Sequence, residues 1–275
     1  MTCRMTTKAR SGAYVGAVVL AVVSCGGSDT AGRGQVDESG TATPTEASAS
    51  KGPGSERPDL VIDPGDDGQY EADLDPADFV TGIDNPYLPL SPGKRWVYEG
   101  VEDDELERVE VVVTSDRKQI LGISAVVVRD TVTVDGELVE DTYDWFAQDR
   151  EGNVWYLGED STEYEDGEVV STAGSWQAGV DGAQAGIVMP ADPTVGEAYR
   201  QEFYPGEAED MAEVVRRGAS ESVAAGEFNN LVVIREWNPL EPDVVEEKYF
   251  APGIGQILGV VVAGGEGREE LVDGP

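Results

Sequence analysis

The sequence predicts an all-β protein: a curved antiparallel sheet, half-barrel or barrel-like, built from two repeats of about 104 residues and preceded by a disordered N-terminal stalk. Three observations carry this. Val109, Val111 and Val113 alternate with Glu110, Val112 and Thr114, and Val126, Val128, Asp130 and Val132 alternate with Val127, Arg129, Thr131 and Thr133; period two in β-branched residues is the mark of a half-buried strand. Asp135-Gly136 and Asp166-Gly167 stand between such runs, and both residues of an Asp-Gly pair tolerate the positive φ of a two-residue hairpin turn. The domain also matches itself along its length, as set out below.

Composition narrows the chemistry. The chain of 275 residues has 55 Asp plus Glu against 19 Lys plus Arg, no His, and a net charge of -36. Without an imidazole, Ser-His-Asp or Cys-His catalysis and His-ligated metals are excluded. So strong a negative charge also argues against nucleic acid as a partner, since phosphate binding is driven by Lys and Arg.

The chain opens with an address. Arg4, Lys8 and Arg10 precede an apolar run of 11 residues at 13–23, which is too short to span a bilayer. Val22-Val23-Ser24-Cys25, followed by Gly26-Gly27-Ser28, resembles the lipobox of bacterial lipoproteins. That resemblance implies cleavage after residue 24 and lipidation of Cys25, with palmitate among the acyl groups. Cys3 leaves with the signal peptide, so no disulfide is expected in the mature chain. Acylation at more than one point anchors a protein stably, so a membrane-anchored, extracytoplasmic protein is expected.

Segment 25–77 is rich in Gly, Ser, Thr, Pro and acid and has neither Trp nor Phe. It cannot bury enough apolar surface to offset its ordering entropy, and it reads as a disordered linker. From 78 to 275 the texture changes: all five Trp lie here, and 43 acids against 13 bases leave this part alone at -30. Its length suits one core. Segment 207–217 is equally compatible with a strand and a weak helix.

The halves 79–173 and 194–275 are joined by a loop at 174–193. Gly93 matches Gly196 at an offset of 103, and Trp145-Phe146-Ala147 matches Tyr249-Phe250-Ala251 at 104. Val126-Val127-Val128-Arg129-Asp130 matches Val232-Val233-Ile234-Arg235-Glu236 at 106. Two copies at so long a period indicate a duplicated meander, not a solenoid.

Four segments resemble a widespread set of bacterial secreted proteins and lipoproteins with a hairpin-rich, duplicated all-β domain. They are Asn85-Pro86-Tyr87-Leu88-Pro89-Leu90-Ser91-Pro92-Gly93, Asp144-Trp145-Phe146-Ala147-Gln148-Asp149 with Gly152-Asn153-Val154-Trp155-Tyr156, Gly174-Ser175-Trp176 with Met189-Pro190-Ala191, and Lys248-Tyr249-Phe250-Ala251-Pro252-Gly253. The resemblance implies the fold and compartment and brings no activity with it.

Candidate sites are few. Segment 63–74 lacks the ligand pattern of an EF-hand, and the acidic runs 149–153 and 160–166 read as solvated turns, so no metal site and no cofactor is expected. Among the carboxylates, Glu209, Asp210 and Asp181 are candidates for acid–base work, with a solvated surface role preferred for each. The Gly-rich connection 174–193 carries Trp176, Gln177, Asp181 and Met189, a candidate ligand loop folded over one mouth of the sheet. Trp155 and Tyr156 face opposite sides of one strand and are candidate rim aromatics. The expected function is non-enzymatic binding of an apolar or amphipathic ligand, or of a protein partner. The rivals are a hydrolase using paired carboxylates and a structural envelope protein without a pocket.

Overall fold

A computed structural model describes residues 70–102 and 105–275; the signal segment, Cys25 and the linker up to residue 69 lie outside the described residues. A 3₁₀ turn at Pro76–Asp78 precedes β1 (Arg95–Glu102), β2 (Glu105–Ile120), β3 (Ile123–Val134), β4 (Glu137–Gln148) and β5 (Val154–Glu165). Then come β6 (Glu168–Ser171), β7 (Trp176–Gln177), β8 (Gln184–Met189), β9 (Ala198–Arg200) and β10 (Glu202–Phe203). The chain closes with β11 (Met211–Val223), β12 (Gly226–Trp237), β13 (Val245–Ala251), β14 (Gly255–Ala263) and β15 (Arg268–Asp273). No α-helix occurs among the described residues, and segment 207–217 resolves as the entry into β11.

All strands belong to one antiparallel sheet in the order β10-β8-β5-β4-β3-β2-β1-β15-β14-β13-β12-β11-β9, with β6 and β7 also paired to β5. The two strands at opposite ends of that order, β10 and β9, are separated in the chain by Gln201 alone. The sheet is therefore curled until its edges approach each other, although the ladder is not continuous across them. At this seam a Cβ on Gly186 of β8 would lie 2.3 Å from the Gln201 carbonyl carbon. Only glycine allows that approach.

Strands β1 to β5 form one meander, and β9 with β11 to β14 form a second with the same succession. Equivalent bonds recur in both. Val113 N–H donates to the Lys94 carbonyl and Gly93 N–H to the Val113 carbonyl, as Val214 N–H does to Glu197 and Gly196 N–H to Val214. Arg129 pairs with Asp141 on β4 at 2.7 Å, and Arg235 with Glu247 on β13 at 3.0 Å. β15 joins the meanders by pairing with β1 and β14. The Asp135-Gly136 and Asp166-Gly167 turns have positive φ at both positions, 51° and 86° in the first and 53° and 79° in the second, which suits the strand twist.

The connection 174–193 is not a plain loop, because it contains β7 and β8. The ordered domain also begins earlier than residue 78: Tyr70 is buried, donates its hydroxyl to the Ala185 carbonyl at 2.9 Å, and packs edge-on against Phe203. An aromatic ring at the end of the linker thus covers the seam.

Candidate functional site

Directly paired residues of an antiparallel ladder share a face. On the inner face Val128, Asp130 and Val132 of β3 stand opposite Val113, Val111 and Val109 of β2, and opposite Asp144, Thr142 and Glu140 of β4. Those three face Glu159, Ser161 and Glu163 of β5. In the second meander Ile234 and Glu236 face Lys248 and Glu246. Lys248 faces Gly259, Gly259 faces Glu269, Glu269 faces Gly100, and Gly100 faces Glu107. The apolar core fills the same face with Val126, Phe146, Tyr156, Val232, Phe250 and Ile257. The result is an apolar interior crossed by a belt of carboxylates with Lys248 as its base.

Glu202 and Asp210 complete the belt at the seam. Their carboxyls lie within hydrogen-bonding reach of one another, a contact that needs a shared proton. Burial, then Asp210 and Glu159, raise the Glu202 carboxyl well above the ordinary range. Asp210 is pushed up to about 8 by burial, against the contact with Glu202, which lowers it; the charges of Glu236 and Glu246 add to the rise and that of Lys248 opposes it. Asp144 is raised to about 7 by burial, against the favourable bond from the Tyr156 hydroxyl at 2.8 Å. Asp130, Glu159 and Glu269 are raised well above the carboxylate range, burial again being the main cause. Lys248 is held in its charged form by Glu236, at 2.5 Å, and by Glu246, which outweigh its burial.

Several of these groups have no hydrogen-bond partner among the described residues: both oxygens of Asp130 and of Glu269, Oδ2 of Asp144, both amide atoms of Gln256, and Nε1 of Trp176. Buried polar atoms are nearly always bonded, so such a concentration on one inner face is unusual.

Trp176 lies inside, opposite Glu159, with its ring edge-on to Tyr156 at 5.4 Å, and Tyr156 stacks on Phe146 at 4.8 Å. Its indole sits near enough to Glu202 to favour that group's charged form. The other candidates do not join it. Gln177 pairs with Gly158 in the ladder, Met189 is a core residue beside Val154, and Asp181 is an exposed turn residue at φ 51°. Trp155 is on the opposite face from Tyr156, covered by Phe79 and bonded through Nε1 to Asp149 at 2.9 Å. Neither ring is exposed at a rim. Glu209 bonds the Gly206 N–H in an exposed turn, whereas Asp210 is buried and not a solvated acid as expected.

The acidic run at 149–153 has a structural use. Asp149 accepts five bonds, from the N–H groups of Glu151, Gly152 and Asn153 and from the side chains of Asn153 and Trp155. Asn153 in turn accepts from Ala191 N–H, and Asn85 donates to the carbonyls of Gly152 and Pro190. Gly253 N–H donates to the Pro86 carbonyl at 2.7 Å. The segments that carry the resemblance are tied to one another here, at the end of the sheet away from the β1/β2 and β3/β4 turns. Among the described residues no group of three or more His, Cys, Asp or Glu is placed to hold a metal ion, and no helix is long and apolar enough to cross a membrane.

No family model matches the chain, and no curated protein does. Among solved structures it is similar to a crystal structure of a "putative lipoprotein" from Parabacteroides distasonis, at 11% identity and a TM-score of 0.34, covering 70% of this chain and 99% of that one. A likeness of that degree bears on neither ligand nor activity.

Proposed function

We propose that this chain is a lipoprotein anchored through Cys25 on the extracytoplasmic face of a bacterial membrane, and that its duplicated, barrel-like domain binds a small ligand in the interior of the sheet without chemistry. One observation carries the binding reading. Side-chain atoms on the inner face that lack a partner among the described residues gather on the carboxylate belt. A core serving stability alone would be better filled with apolar side chains, because an unpaired buried polar group costs about 1–3 kcal/mol. The polar belt favours a hydrogen-bonding ligand over the apolar one that the aromatic residues suggest by themselves.

The test is native mass spectrometry of the full chain, purified from its membrane fraction, before and after organic and acid extraction. A discrete extractable mass is the expected result. A bare chain mass at every stage would leave the structural role. For the anchor, Cys25→Ala is expected to move the protein from the membrane to the soluble fraction; retention in the membrane would refute lipidation at that residue.

A second reading is favoured by the Glu202–Asp210 pair. Two carboxyls sharing a proton can serve as acid and base for a hydrolysis. Turnover of a glycoside, ester or peptide that disappears in both Glu202→Gln and Asp210→Asn would establish it over binding alone.

A further inference from the structure

The two meanders treat the same inner position differently. Arg129-Asp130 of β3 aligns with Arg235-Glu236 of β12, and Asp144, just before Trp145-Phe146-Ala147, aligns with Lys248, just before Tyr249-Phe250-Ala251. In the second meander the acid is matched by a base, Lys248 Nζ lying 2.5 Å from Glu236. In the first, the residue in the lysine's place is another acid, and Asp144 repels Asp130 where Lys248 neutralises Glu236.

The surroundings of Asp130 add to that deficit. Glu269 of β15 lies close enough to act on it electrostatically, and Tyr98 sits within reach of both, bonded to the Gln256 carbonyl at 3.0 Å. Asp130 is 1% exposed, Glu269 6% and Gln256 1%, and all their side-chain oxygens and the amide nitrogen are without a partner among the described residues. The residues paired with Glu269 on the two neighbouring strands are Gly100 and Gly259, so no side chain on either flank crowds its carboxyl. The Gln256 amide nitrogen lies 3.5 Å from where a Cβ on Gly259 would stand, beside the same carboxyl.

We infer that the junction of the two halves takes an organic cation, an ammonium or guanidinium group, held between Asp130 and Glu269, with Asp144, which stands where Lys248 does in the second half, beside Asp130. The inference rests on the reading that the interior binds a ligand, and it names the ligand's class. Asp130 and Glu269 offer four carboxylate oxygens without a partner among the described residues, and a group with several N–H donors answers them with short, charge-assisted bonds. A metal ion fits less well, since these carboxyls are not drawn together as a coordination shell. Gln256, with a donating amide nitrogen and an accepting oxygen, would orient the remainder of the molecule.

The experiment is isothermal titration of the full chain with agmatine, which carries a guanidinium and an ammonium group, beside sodium chloride at matched ionic strength, magnesium chloride and trehalose. Saturable binding of agmatine alone is expected, weakened at least tenfold in Asp130→Asn and in Glu269→Gln. Asp144→Lys, which copies the second meander, is expected to abolish binding and raise the melting temperature. Heat from agmatine no greater than from sodium chloride would overturn the inference, and so would saturation by magnesium or unchanged affinity in the variants. The wild-type comparison stands even if a variant fails to fold. Saturation by trehalose without agmatine would overturn the cation while leaving interior binding intact. No saturable binding by any probe, with a bare chain mass, would remove both.

Discussion

Lys248 Nζ lies 2.5 Å from Glu236 Oε2, both side chains being about nine-tenths buried, and this pair is the charge balance of the second meander. Removing the base would leave Glu236 and Glu246 buried side by side. Lys248→Met is therefore expected to destabilise the domain by about 3–5 kcal/mol, as loss of one partner of a buried pair does. Adding Glu236→Gln should recover much of that. Urea denaturation of the two variants checks it; equal stability of single and double would show that the acid carries no penalty.

The belt sets a pH dependence. Asp144 is raised to about 7 and Asp210 to about 8, and Asp130, Glu159, Glu202 and Glu269 are raised well above their ordinary values, all chiefly by burial. A carboxyl with a raised folded-state pKa binds more protons in the folded state than in the unfolded. Its stabilisation is complete below the unfolded value near 4 and is lost as pH rises through the folded value. Lys248 stays charged across this range and does not oppose the trend. The melting temperature should fall by several degrees between pH 5 and pH 8.5. A rise over that interval in thermal scans would contradict the protonated belt.

The seam is sensitive to a single methyl group. A Cβ on Gly186 would sit 2.3 Å from the Gln201 carbonyl carbon and 2.6 Å from the Arg200 oxygen, all backbone atoms. Gly186→Ala is expected to cost about 2–3 kcal/mol by forcing β8 away from the β9–β10 segment. Gly82→Ala, where a Cβ meets nothing within 4 Å, is the control and should stay within about 0.5 kcal/mol of wild type.

Asp149 gathers five N–H donors with one carboxylate. Asp149→Ala should cost about 3 kcal/mol or more, because several donors lose their acceptor together. Calcium should not alter the melting temperature of wild type. A calcium-dependent shift lost in this variant would mean that the carboxylate binds the ion instead.

With -30 on residues 78–275, self-repulsion should be relieved by screening. The melting temperature is expected to rise between low and moderate salt, and a flat response would place the repulsion elsewhere.

The strands and hairpins were legible because period-two runs and Asp-Gly turns are local signals. The belt was not, although its trace is in the same runs. Asp130 falls in register with Val126, Val128 and Val132, Asp144 with Phe146, Lys248 with Phe250, and Glu269 with Leu271. An acid in register with core residues is the signal of a buried one, but among 55 acids it is masked by those on the surface. The carboxyl pair of Glu202 and Asp210 is still less accessible to sequence, since it depends on how the sheet curls at Gln201. Trp176 stands out in the sequence as an aromatic residue in a Gly-rich connection, and β7 carries it inside; Met189 and Asp181 belong to the same connection and lie in core and turn.

Among the described residues β15, six residues long, is the strand that pairs with both β1 and β14 and so holds the two meanders in one sheet. Without it β1 and β14 would each present a row of unpaired N–H and C=O groups, and the domain would become two half-sheets with open edges, the form most prone to pair with neighbouring chains.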